Sequence, residues 1–168
     1  GLSRAEIIRA YDEVLDYCIG VSDEFSAGAL PFSESGSAHF ADCRVLFVLD
    51  LRLLAGSLIV IVLLKLYDKR YKLPRLGGHG APFWGAAGMT AALALIGIAA
   101  ATDFDRAFIV FHSLFFPGKD NWVFNAATDP VILIMPDAFF RSCAILILTV
   151  LLIPSAVIII SDKRKGYA

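Results

Sequence analysis

The chain has 168 residues, of which 58% are hydrophobic, with a mean hydropathy of +0.70 and a formal net charge of −1. That is too apolar for an ordinary soluble domain of this length. The balanced charge also excludes the basic footprint of a nucleic-acid binder.

Ser3-Arg4-Ala5-Glu6 is a capping box that opens the first helix. Ile7, Ile8, Tyr11, Val14, Leu15 and Cys18 then fall on one stripe, and Asp12, Glu13 and Asp16 lie off it. The 3.6-residue period makes this an amphipathic helix of about four turns. It either lies on a membrane or covers an outer domain. Its acidic face argues against a purely electrostatic lipid anchor. Residues 20–37 are rich in Ser, Gly and Ala around Pro31 and read as a loop. Ser33 or Ser35 can cap the next helix, which should run through His39 into an apolar span without a break. His39, Asp42 and Cys43 share a face there, at i, i+3 and i+4.

That first span covers 47–67, with an uninterrupted apolar centre from Leu53 to Leu64 and Asp50 and Arg52 near one membrane face. The second, 83–102, is Ala- and Gly-rich, and Gly88 and Ala92 form a small-xxx-small pair suited to close helix packing. The third, 141–160, contains Pro154, which should kink it and free a carbonyl. A span needs about 20 apolar residues, and all three meet that length. The loop 103–140 is unlike a plain connector. Asp103 can cap a short helix with Phe104, Ala107, Phe108, Phe111, His112 and Phe115 along one stripe. A turn with Trp122, then Thr128-Asp129-Pro130, Val131–Met135, Pro136 and Phe139-Phe140 follow. This segment is too aromatic for disorder.

Lys and Arg set the orientation. Residues 65–75 carry a net of +4 and the tail after the third span a net of +2, whereas residues 1–50 carry −6 and residues 103–141 carry −2. The expected architecture is therefore all-α and polytopic: an outer segment 1–46, spans 47–67, 83–102 and 141–160, a cytoplasmic loop 68–82, an extracytoplasmic loop 103–140 and a cytoplasmic tail 161–168. These segments read as one membrane domain. An external N-terminus ahead of a span implies an earlier helix upstream of Gly1, so the chain reads as N-terminally truncated by one span.

Cys18, Cys43 and Cys143 form no CxxC and no metal-ligand spacing. A Cys18–Cys43 disulfide is open, but small apolar packing residues are the simpler reading. No GxSxG, HExxH, Walker loop or dinucleotide-binding glycine pattern occurs. The chemistry then rests on His39 and His112, each beside a span and both on the outer side. Taken singly, each is more simply a structural histidine. Paired near a bilayer, two titratable groups are a functional hypothesis, because imidazole takes and returns protons near neutral pH. Asp42, Asp129 and Asp137 are candidate orienting partners, although Asp129 before Pro130 is equally a turn residue. Trp122, Phe139 and Phe140 suit interfacial anchors. His79, between Gly78 and Gly80 on the basic side, reads as merely solvated. A metal site built from His39, Asp42, His112 and a further carboxylate is an alternative, though no spacing favours it. A transporter does not fit spans that carry almost no charge and show no inverted repeat.

Phe111-His112-Ser113-Leu114-Phe115-Phe116, Asn121-Trp122, Thr128-Asp129-Pro130, Pro136-Asp137 and Phe139-Phe140 together resemble a family of bacterial, mostly Gram-positive, four-helix membrane proteins. That family includes the lipoprotein intramolecular transacylases. Pro31-Phe32-Ser33 and His39-Phe40-Ala41-Asp42-Cys43-Arg44 are similar to its other outer-face motif. Gly36 and Cys43 stand where an acidic residue and a valine are expected. The resemblance covers nearly the whole chain and implies four spans in the full family, with an extracytoplasmic helical cap.

It also implies a reaction in the bacterial cell membrane, with no cofactor and no metal. The partner is a lipoprotein whose N-terminal cysteine carries a thioether-linked diacylglyceryl group. The sn-2 acyl chain moves to that cysteine's own α-amine, leaving a lyso form. Both groups belong to one molecule, so orientation alone can supply roughly 7–11 kcal/mol. His39 and His112 would divide the base and acid roles, with Asp42 orienting His39. Asn121 or a backbone N–H would help hold the oxyanion. Asn121, Trp122, Asp129, Phe139 and Phe140 are the candidate substrate-binding residues. Ser113 or Cys43 as an acyl-enzyme nucleophile ranks lower. Two other classes compete: a non-enzymatic membrane protein whose outer loop binds a lipid or a partner, and a metal-dependent membrane hydrolase.

Overall fold

Among the described residues the local signals produce six helices: α1 (Arg4–Cys18), α2 (Glu34–Tyr71), α3 (Ala81–Thr102), α4 (Phe104–Phe115), α5 (Val131–Ile134) and α6 (Asp137–Gly166). The structure, a computed structural model, describes residues 2–166, with side chains as far as residue 162. The basic side chains Lys163, Arg164 and Lys165 and the last two residues of the expected tail lie outside the described residues. The described helices form two compact units, one of residues 1–61 with 112–137 and one of 62–111 with 138–168.

Helices α2, α3 and α6 are long and apolar enough to cross a membrane. Their apolar faces are largely uncovered by protein: Leu53, Ile59, Leu95, Ile96 and Ile145 are all exposed. In water such faces would be costly, whereas a helix satisfies its own backbone in lipid. At 38 residues, α2 is far longer than a bilayer core requires. As the sequence suggests, it runs unbroken through His39 into the apolar span. Within α6, Pro154 leaves the ladder one N–H short, and the Ser155 hydroxyl donates to the Leu151 carbonyl at 2.8 Å.

In the first unit, α1 is capped as its sequence requires, Ser3 and Glu6 exchanging hydrogen bonds. Its covered face differs from the expected stripe. Ala10, Val14 and Cys18 are buried, while Ile7 and Ile8 are exposed. The small Ala10 faces inward because the chain returns against it at Gly28. There φ is +62°, and a Cβ would stand 3.2 Å from the Ala10 backbone. Burial pushes the Cys18 thiol up to about 11. All three cysteines are free thiols, so the packing reading holds over a disulfide.

Loop 20–33 is tied down by ions. Glu13 accepts hydrogen bonds from the Ser26 hydroxyl, the Arg9 guanidinium and the Gly28 N–H. Arg44 donates to the Ser22 carbonyl, pairs with Asp23 at 2.9 Å and lies over the Tyr17 ring. This binding sets Phe25 flat against Phe40, with ring centroids 4.8 Å apart. Ser26, then Arg9 and Gly28, hold the Glu13 carboxyl at about 2, below the usual 4.5. A depressed carboxylate stabilises the fold above its unfolded value, and that contribution is lost as pH falls through the folded value. Protection of the Gly28 amide from hydrogen exchange should therefore hold from pH 7 to about 4.5 and decline toward pH 2. In Glu13→Ala it should be absent at every pH.

In the second unit, His79 is not merely solvated. Its Nδ1 meets Asp162 at 2.6 Å and its ring stacks on Phe83 at 3.9 Å. The left-handed Gly77 and Gly78 turn the chain back so that His79 reaches the end of α6. Asp162 lies 83 residues further along the chain, so the histidine's flanking glycines give no sign of it.

Candidate active site

One histidine comes from the start of α2 and the other from the last turn of α4. Asp103 Oδ1 accepts from the Arg106 N–H and so starts α4 where the sequence predicts. The imidazoles of His39 and His112 face each other with centroids 5.9 Å apart. They are only 6% and 7% exposed.

Aromatic rings enclose the pair. Phe116 stands edge-on to His39 at 4.9 Å and 5.7 Å from His112. Phe124 stands edge-on to His39 at 5.5 Å. Trp122 lies 4.6 Å from His112, its indole N–H held by the Lys119 carbonyl at 3.0 Å. Trp122 thus forms part of the wall of the histidine site. Beside it, a cleft of about 260 Å³ is lined by Val45, Leu46, Phe115, Phe116 and Pro117, with Asp42 and Lys119 at its polar end.

Asp42 does not bond to His39 as the helical spacing suggests. One carboxylate oxygen takes the Lys119 ammonium at 2.5 Å, and the other takes the Asn121 amide N–H at 3.0 Å. The turn 117–122 delivers both partners, and their charge and amide hydrogens claim the acceptors first. His39 instead has Nε2 3.5 Å from Cys43 Sγ, and the Asn121 side chain lies within hydrogen-bonding range of its ring.

Asp129 also departs from expectation. The sequence places it among the substrate-binding candidates, but it is 3% exposed and both its oxygens are occupied. Oδ1 accepts from the Ser33 N–H at 2.7 Å and Oδ2 from the Thr128 hydroxyl at 2.6 Å. Burial alone would raise this carboxyl, but those hydrogen bonds outweigh it and hold it below the usual carboxylate value. Asp129 is thus a clamp between the 116–130 loop and the start of α2. Gly36 permits it, since a Cβ there would lie 2.2 Å from Asp129 Oδ1. Phe139 and Phe140 belong to the second unit, where Phe140 packs on Phe108 at 5.4 Å. Asp137 opens α6. Among the described residues, no group of three or more His, Cys, Asp or Glu is arranged to hold a metal ion.

The family model "Lipoprotein intramolecular transacylase Lit" matches residues 1–140. The chain belongs to the Lit family. Among solved structures, it is similar to the membrane-integral Lit of Bacillus cereus, at 26% identity and a TM-score of 0.82 over 99% of this chain and 74% of that one. Two forms of that enzyme with one histidine substituted, by arginine or by alanine, match with TM-scores of 0.71 and 0.72. They are 25% and 26% identical, over 98% and 99% of this chain and 74% and 76% of theirs. No curated protein sequence matches. Membership settles the class as a membrane-embedded lipoprotein transacylase, ahead of the binding-protein and metal-hydrolase readings. It leaves the work of each residue in this Lit chain to be argued from geometry.

Sequence reasoning does not single out Lys119, Phe116, Phe124 or Ser33 as parts of this site. For Lys119 the signal is present, as the only cation in a turn that also carries Asn121 and Trp122.

Proposed function

We propose that His39 and His112 carry out acyl transfer within one diacylglyceryl lipoprotein, on the extracytoplasmic face of the membrane. The supporting observation is the buried imidazole pair, 5.9 Å apart, inside an aromatic enclosure. The α-amine of the substrate's N-terminal cysteine attacks the sn-2 ester carbonyl. A C–N bond forms and the ester C–O bond breaks. The proton lost by the amine goes to one imidazole, and the departing glyceryl oxygen takes a proton from the other. The products are an amide and a monoacylglyceryl thioether.

Two imidazoles on opposite sides of the reacting carbonyl supply both transfers without a protein nucleophile. Phe116, Phe124 and Trp122 keep water from the ester and so favour transfer over hydrolysis. The cleft beside Val45, Leu46 and Phe115 suits the acyl chain, its apolar wall continuing toward membrane lipid. The net negative charge of residues 1–50 and the net positive charge of the 65–75 loop support the outward orientation of the site.

The test is expression of the full-length protein in a bacterium that lacks lipoprotein N-acylation, followed by mass spectrometry of lipoprotein N-terminal peptides. An N-acyl, S-monoacylglyceryl cysteine is the expected product. Unchanged diacylglyceryl peptides, with the protein present in the membrane, would refute the assignment.

A further inference from the structure

The Asn121 amide decides which nitrogen of His39 carries the ring hydrogen. Asp42 Oδ2 takes the Asn121 Nδ2–H at 3.0 Å. A carboxylate only accepts, so the nitrogen end of the amide belongs to Asp42. The oxygen end is left for the hydrogen bond between Asn121 and the His39 ring. That contact raises the proton affinity of the ring, as an acceptor does and a donor would not. Nε2 faces the Cys43 sulfur at 3.5 Å, so the nitrogen that meets Asn121 is Nδ1. Nδ1 therefore carries the hydrogen and Nε2 the lone pair.

Cys43 lies one helical turn beyond His39 on α2, with its thiol against that lone pair. Burial, reinforced by Cys18 and Asp42, pushes the thiol up to about 12. It therefore keeps its hydrogen at neutral pH, and a protonated sulfur beside a ring lone pair is a donor. S–H is a weak donor and gives way to a stronger one.

We propose that Cys43 is a positioning residue for His39: its S–H holds the Nε2 lone pair in the resting site and yields it to the substrate's α-amine. This rests on the transacylase reading and deepens it. A neutral ring with its lone pair on Nε2 is equipped to accept a proton, so His39 takes the base role and His112 the acid role. The amine N–H displaces the thiol and passes its proton to Nε2 as the C–N bond forms. The departing glyceryl oxygen takes its proton from His112.

The titratable and charged groups around the ring are His112 from α4, Asp42 from α2 and Lys119 from the 116–130 loop. Burial, then His112, lower the His39 ring to about 4, with Asp42 and Asn121 opposing and Lys119 assisting. A hydrogen bond donated to the lone pair favours the neutral ring and acts in the same direction as burial.

The test is NMR of the imidazole nitrogens in the full-length protein, labelled at histidine and held in detergent micelles. The His39 signals are assigned by their loss in His39→Gln. In the wild type Nδ1 should be protonated and Nε2 bare. Cys43→Val should raise the His39 titration midpoint by about half to one pH unit, the size of one modest hydrogen bond. Added apolar bulk alone would lower it, so the direction separates the two effects. Cys43→Ser, which restores a donor, should titrate at or below the wild type. The acid limb of the single-turnover rate should shift with the midpoint.

A proton on Nε2 in the wild type overturns the proposal. So does a Cys43→Val midpoint at or below that of the wild type, or a Cys43→Ser variant that titrates with Cys43→Val. A midpoint that moves while the acid limb stays fixed overturns it as well. If Cys43→Val does not fold, Cys43→Ala against Cys43→Ser is read the same way. The spectra need no turnover, so failure of the wild type to convert an ester lipopeptide would instead refute the transacylase reading itself.

Discussion

Replacing either His39 or His112 by alanine should slow acyl transfer by about 10²–10⁴-fold, the usual contribution of a positioned acid or base. Both side chains are buried among rings, so truncation also leaves a cavity beside Phe116, and some stability should be lost as well. His→Gln at each position keeps most of the volume without the basicity, and separates the two effects. The glutamine variants should melt near the wild type and yet be as slow as the alanine variants. The rate is best read in a single turnover, as conversion of a diacylglyceryl lipopeptide to its lyso form by mass spectrometry. If the rings act as one unit across the 5.9 Å that separates them, the double variant should be little slower than the worse single one. A double variant that still transfers the acyl chain at the wild-type rate would refute the histidine mechanism.

The parts of this molecule that were legible in the sequence are those whose signals are local. The Ser3–Glu6 capping box, the Asp103 cap and the apolar runs each act within one or two turns of helix, and each produces the element it predicts. The histidine pair was legible one step further, because the charge balance of the loops and the helical stripes put both residues on one side. What stayed hidden is pairing across the chain. Asp42 shares a helix face with His39, but its acceptors go to Lys119 and Asn121, 77 and 79 residues away. Asp129 before Pro130 has the sequence of a turn, and only the fold shows Ser33 donating to it from 96 residues upstream. Local spacing can say which groups are near one another on a helix. It cannot say which stronger partner will arrive from elsewhere and take the hydrogen bond.

The clearest test of that long-range pairing is Gly36→Ala. Helix propensity alone favours alanine over glycine in a helix by about 1 kcal/mol. Here the sign should reverse, with stability falling by about 1–3 kcal/mol, the cost of overpacking a close-fitting site. The added Cβ would stand 2.2 Å from Asp129 Oδ1 and 3.2 Å from the Phe124 ring. Asp129 must then withdraw, and the Ser33 N–H loses its acceptor. Phe124 must shift too, and it packs edge-on against His39, so transfer should slow together with the loss of stability. Asp129→Ala should also destabilise, by about 1–3 kcal/mol, because it leaves a buried donor unpaired. The decisive measurement is the double variant. Removing the Asp129 carboxylate removes the atom that the new Cβ strikes, so the two costs should fall well short of their sum. Additive costs would mean that Gly36 and Asp129 act independently. The clamp between the 116–130 loop and the head of α2 would then not be what holds the two histidines face to face.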